Sequence, residues 1–179
     1  SSAASDVYKR QALTRLEENG HFVAIATGRA HYKARKFTDA NGFKNMVCCG
    51  GNGCVIDNEL VENIPLDKDG CIKIIHQAEE LGYGWCVALD DTKDVYMTDD
   101  KFLRQVGKRK EPTRYIIDDM LEVEKADAIY KVYVAIPKED EEKLTTKELV
   151  GHLRFEPEYL MFQPCLLYTS DAADEARSV

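Results

Sequence analysis

Two short strings hold the residue types from which an anion site can be built. Ala26-Thr27-Gly28-Arg29 closes the apolar run HFVAIA, and Gly50-Gly51-Asn52-Gly53 closes a second run, MVCC. A threonine at the C-terminal end of a buried strand, followed by glycine and a helix start, suits phosphate. Glycine admits the ligand to the backbone, and first-turn N–H groups at a helix N-terminus favour an anion. Arg29, next in line, would meet a second anionic group. Thr27-Gly28-Arg29 read alone is equally a plain strand-to-helix turn capped by threonine. The second string lies on the rim where open α/β sheets take ligands. It departs from a dinucleotide fingerprint because Ile56 holds the third glycine position, which disfavours a nucleotide-dependent oxidoreductase. By itself it is a glycine-rich turn into a hairpin.

Other reactive residue types read as structural. Asp90-Asp91, Asp99-Asp100 and Asp118-Asp119 border expected strands or helices, where aspartate serves turns and N-caps. The sequence has no C-x-x-C and no H-E-x-x-H, so its cysteines are expected to be reduced thiols that pack as small hydrophobes in a cytoplasmic protein. His76 and His152 stand alone, and Lys108-Arg109-Lys110 reads as a solvated loop that would at most steer a phosphorylated substrate.

The elements that must carry the two strings form an α/β pattern. Ala12 to Asn19 reads as the end of a helix, His21 to Ala26 as a buried parallel strand, Arg29 to Ala40 as a helix and Met46 to Cys49 as a second strand. Cys54 to Ile56 and Leu60 to Ile64 predict a hairpin. From about Leu66 the pattern becomes an α+β module of antiparallel strands: a helix over 67–81, strands over 85–89 and 95–98, a helix from about Asp99, a strand over 128–136, a helix over 138–149 and a strand over 159–162.

The 179 residues carry a formal charge of −8 and no apolar run near the ~20 residues of a membrane span, which argues against nucleic-acid and membrane partners. The chain ends read as foreign. A DNA string encoding residues 1–11 (SSAASDVYKRQ), taken as its reverse complement in a shifted frame, encodes Cys165 to Glu175 (CLLYTSDAADE). The string resembles a transposase adapter used in sequencing. Residues 1–11 and 165–179 are therefore expected to be adapter-derived and are set aside from fold reasoning.

Taken together, Thr27-Gly28-Arg29, then Asn52-Gly53, then a hairpin and an α+β insertion resemble the haloacid dehalogenase superfamily of phosphohydrolases, and most closely its Cof-type branch. The resemblance implies a partial Rossmann-like core at 12–65 and an α+β cap at 66–162. It implies that Thr27 and Gly28 hold phosphate oxygens and that Arg29 and Asn52 face the substrate, a small phosphorylated metabolite such as a sugar or nucleotide phosphate. The family works through an aspartyl-phosphate with Mg2+, using an Asp-x-Asp-Gly-Thr motif, a later lysine and further aspartates. These are not matched here, so no catalytic residue and no metal ligand is assigned, and the chain is expected to be inactive. The alternative is a phosphate-binding or interaction module without catalysis.

Overall fold

The computed structural model describes residues 2–108 and 113–163. Residues 165–179, expected to be adapter-derived, and Arg109 and Lys110 of the basic loop lie outside them. Two compact units divide the chain, Ser1–Asn63 and Ile64–Val179.

The first unit opens with α1 (Ser2–Glu18), which passes residue 11 without a break. Its Leu16 stays substantially exposed. Then follow β1 (Ile25–Ala26), α2 (His31–Asn41), β2 (Met46–Cys48), a 3-10 turn (Cys49–Gly51), β3 (Gly53–Ile56) and β4 (Glu59–Asn63). The sheet order is β1-β2-β3-β4, with β1 parallel to β2 and the later pairs antiparallel. The parallel pair agrees with the sequence reading, but the expected length and burial of the first strand do not. Only Ile25 and Ala26 form a ladder, and Phe22 is 70% exposed. Among the described residues β1 is the outermost strand, with β2 as its one neighbour, so the run HFVAIA is not enclosed there.

The β3-β4 hairpin turns on Asp57 and Asn58, with φ of 50° and 68°. Two successive positive φ values mark the turn type whose twist matches paired strands, and Asn and Asp tolerate them best. Buried Asn45 clamps the unit. Its Nδ2 donates to the Val23 carbonyl at 3.0 Å, and its Oδ1 accepts from the Asp57 N–H at 3.0 Å. Ala34, Met46, Cys48 and Val55 form the small apolar core beneath.

The second unit holds α3 (Lys68–Glu80), β5 (Trp85–Ala88), β6 (Asp94–Met97), α4 (Lys101–Val106), β7 (Arg114–Ile117), β8 (Lys131–Val134), β9 (His152–Glu156) and β10 (Tyr159–Phe162). Its six strands run in the order β7-β6-β5-β8-β10-β9. The α3 helix forms because Cys71, Ile74, Ile75 and Ala78 fall on one helical face and are all buried, and because Asp67 caps Gly70 N–H at 2.8 Å.

Val132 and Val134 of β8 join Ile74, Ile75, Leu160 and Phe162 in one core. Tyr133, between them, joins Met97 and Phe102 in another. A strand covered on both faces reads as a continuous apolar run, which is why β8 was conspicuous in the sequence.

Three expectations for this unit are corrected. The sheet is not wholly antiparallel, since β7 runs parallel to β6. Residues 138–149 form two 3-10 segments, Lys138–Lys143 and Thr145–Leu149, rather than an α-helix. The break falls at buried Leu144, whose ψ of 79° is not helical, and Gln77 Oε1 takes the Thr146 N–H that a continuing helix would have used. Strand β9 was not anticipated. Among the described residues no helix is long and apolar enough to cross a membrane.

Candidate phosphate site

Thr27 follows β1 directly, and its N–H donates to Val47 O at 2.9 Å, extending the β1-β2 pairing by one step. Its hydroxyl Oγ1 then accepts from the Arg29 N–H at 3.2 Å. That bond closes a turn over Gly28. The helix begins later than expected, at His31, with Ala30 as an N-cap that supplies no side-chain bond. Thr27 therefore shapes the turn and does not cap the helix.

A Cβ built on Gly28 meets no atom within 4 Å. Its φ is not positive, so neither packing nor backbone strain demands glycine there. The space in front of Gly28 is open, as a seat for an anion against the backbone requires. Arg29 is exposed.

The second string follows β2. Cys49, Gly50 and Gly51 have φ of 54°, 71° and 109°, three left-handed values in succession, which turn the chain sharply before β3. Glycine takes two of these positions without cost, whereas Cys49 is strained. Asn52 comes next and is buried.

The two strings meet through the backbone. Cys49 N–H donates to Arg29 O at 2.8 Å, so the turn after β1 and the turn after β2 are tied at adjacent ends of parallel strands. Ligands of open α/β sheets collect at that end. Sequence reasoning picked out Thr27, Gly28, Arg29 and Asn52 but missed Cys49 as the link and Asn45 as the clamp. Neither carries a local signal, because the first is a main-chain bond and the second depends on Val23, 22 positions away.

The remaining candidates are structural. Asp90 accepts from Thr92 Oγ1 at 2.6 Å, Asp99 from Lys101 N at 2.7 Å, Asp118 from Met120 N at 3.0 Å, and Asp100 from Arg104 Nε at 2.8 Å. His76 pairs with Glu124 at 2.9 Å, and the His152 ring lies 6.0 Å from that of Phe162. Asp67-Lys68-Asp69-Gly70 matches Asp-x-Asp-Gly-Thr in all but the last position, where Cys71 stands, but it opens α3 rather than following a strand, and the Asp67 carboxylate caps that helix. Among the described residues no three His, Cys, Asp or Glu side chains converge as a metal site. The residues present thus do not fit the Mg2+ that the resemblance implies, and no step is derived through it.

The family model for haloacid dehalogenase-like hydrolases matches residues 4–158, and the chain belongs to that family. YkrA of Bacillus subtilis (strain 168), which carries a phosphatase name, is 24% identical over 90 residues, or 50% of this chain and 35% of YkrA.

Among solved structures, BT1666 from Bacteroides thetaiotaomicron, a phosphatase of the same superfamily, superposes with a TM-score of 0.63 at 17% identity. The match covers 94% of this chain and 65% of that one. The subclass IIB sugar phosphatase BT4131 gives 0.61 at 15% identity, covering 97% and 66%. TM0651 from Thermotoga maritima gives 0.63 at 18% identity, covering 92% and 67%. These matches show a shared mixed α/β fold, and this chain spans about two thirds of the length of those proteins.

Proposed function

We propose that this chain supplies the phosphate-holding rim and the α+β cap module of a phosphatase that hydrolyses small phosphate monoesters, sugar or nucleotide and cofactor phosphates, in the cytoplasm. The supporting observation is the Thr27-Gly28 turn, open in front of Gly28 and tied through Cys49 to the turn that leads into Asn52. In this reading the Thr27 hydroxyl and the Gly28 N–H hold phosphate oxygens, Arg29 meets a further oxygen or the substrate's own anion, and Asn52 positions the substrate side of the rim. The family resemblance and the sugar phosphatase among the structural neighbours support the substrate class.

In a longer parent protein, Mg2+ would supply neutralisation of phosphoryl charge and an aspartate would supply the nucleophile, and none of the described residues of this chain is assigned to either. Orientation without a nucleophile gives binding but no turnover. The chain contains no Asp-x-Asp-Gly-Thr string, so we infer that it binds phosphate and does not hydrolyse esters. The test is twofold. Titration of inorganic phosphate should shift the amide resonances of Gly28 and Arg29, and an aryl phosphate with Mg2+ should not be hydrolysed. Unmoved resonances would overturn the site, and turnover abolished by Thr27→Ala would overturn the inactivity.

A further inference from the structure

Two thiols at the rim are left unused by the phosphate reading. Neighbouring residues of a regular strand send their side chains to opposite faces. Cys48 and Cys49 escape that rule because the left-handed φ of 54° at Cys49 swings its side chain back towards the first. Their sulfurs lie 3.8 Å apart. Both also converge on Gly53, where a built Cβ would stand 2.4 Å from Cys48 Sγ and 3.2 Å from Cys49 Sγ. The missing side chain at Gly53 thus makes room for two sulfurs at one point. Cys48 is buried and Cys49 partly open, so the second is the entry thiol. Cys54 pairs in register with Val47 and so belongs to the other face of the sheet from Cys48, while Cys71 and Cys86 lie buried in the other unit.

We propose that Cys48 and Cys49 form a two-thiolate site for a soft, thiophilic ligand, with trivalent arsenicals as the matching class. Soft sulfur donors select such ligands over hard cations. With an aryl arsenic(III) oxide, two S–H bonds break and two As–S bonds form. The oxo oxygen leaves as water with both protons, arsenic stays trivalent and neither sulfur is oxidised. Once one sulfur has bound, the second closes intramolecularly, which raises affinity over a single thiol by about 100-fold. The Cys49 N–H that donates to Arg29 O lies inside the closed ring system, so occupancy is felt at the phosphate turn.

The experiment uses the full reduced chain and phenylarsine oxide. Intact mass should show one adduct that has lost two thiol hydrogens, and alkylation with peptide mapping should find Cys48 and Cys49 both protected while Cys54 reacts. A dithiol should strip the adduct and a monothiol should not. Cys49→Ser should weaken binding by about 100-fold. Should that variant fail to fold, mapping of the unaltered chain still decides, because protection of one cysteine or of neither would overturn the proposal. The urea-unfolded chain should bind more weakly than the folded chain; equal affinity would show that the fold builds no site. None of these readouts depends on phosphate binding.

Discussion

The amide of Cys49 donates to the carbonyl of Arg29 across 2.8 Å, and this bond joins the two strings that the sequence offers as a ligand rim. A main-chain bond calls for no particular side chain at either residue, provided that position 49 keeps its N–H, which proline lacks. The rim's shape therefore rests on the backbone conformations around it, and the proposed phosphate chemistry rests on Thr27, Gly28 and Arg29. The two can be separated by mutation.

Gly28→Ala is expected to leave thermal stability within about 0.5 kcal/mol, as for an exposed site that makes no contact, because a Cβ there meets nothing within 4 Å. Phosphate affinity should fall, since the methyl group occupies the seat. Calorimetric binding of inorganic phosphate beside a melting curve checks both halves, and unchanged affinity would count against the seat.

Thr27→Val keeps the shape of the side chain but removes the hydroxyl that accepts from Arg29 N–H. Phosphate binding should weaken by about 10-fold or more, the worth of a hydrogen bond to a charged group. Resonance titration of the Arg29 amide would show the loss directly.

Asn45→Ala strips partners from Val23 O and the Asp57 N–H together. The expected cost is about 2 kcal/mol, the range for leaving buried polar groups unsatisfied. Chemical denaturation followed by hydrogen exchange in residues 20–63 should show the loss in the first unit, with the second unit unchanged.

Asp94 and Arg114 face each other in the β6-β7 register and share a two-pronged ion pair. Hydrogen bonding from Arg114, helped by its charge and that of Lys93 and opposed by burial, holds the Asp94 carboxyl below the usual carboxylate range. A lowered folded value means stability present above the unfolded value of about 3.9 and lost as pH falls through the folded one. Asp94→Asn should remove that part of the acid transition and destabilise the second unit at neutral pH. An acid titration by circular dichroism of both proteins is the check.

At the alkaline end, burial first, and then a hydrogen bond to Asp140, push the Tyr83 phenol up to about 12 from 10.0. Folding thus favours the neutral phenol, and its contribution is intact below pH 10 and lost as pH rises towards about 12. Tyr83→Phe should flatten the stability curve between those limits. The difference in tyrosinate absorbance between the native protein and Tyr83→Phe should show the Tyr83 phenol titrating late.

What the sequence revealed follows the strength of local pattern. Helix α3 was plain because Cys71, Ile74, Ile75 and Ala78 repeat on one face, and Thr27-Gly28-Arg29 because three residue types with one purpose stand together. Strand β9 was hidden. Arg154 breaks its apolar pattern, yet the guanidinium is spent on Glu141 and on the carbonyls of Ile136, Pro157 and Tyr159. Two of these partners, Glu141 and Ile136, lie 13 and 18 positions away, and the other two are main-chain carbonyls of the β9-β10 turn and of β10, which carry no side-chain signal. The run over 138–149 had helical composition, but its outcome turned on Gln77, 69 positions before Thr146. In the rim, the link from Cys49 to Arg29 is made by main-chain atoms, which carry no residue-type signal at all.

Strand β1 is two residues long and, among the described residues, has one neighbour, β2. Its far side is a sheet edge beside an exposed Phe22, and such an edge is a template onto which another extended segment can add. Self-association of this chain should accordingly begin beside the phosphate turn, so that crowding the protein in solution and filling its anion seat become competing events.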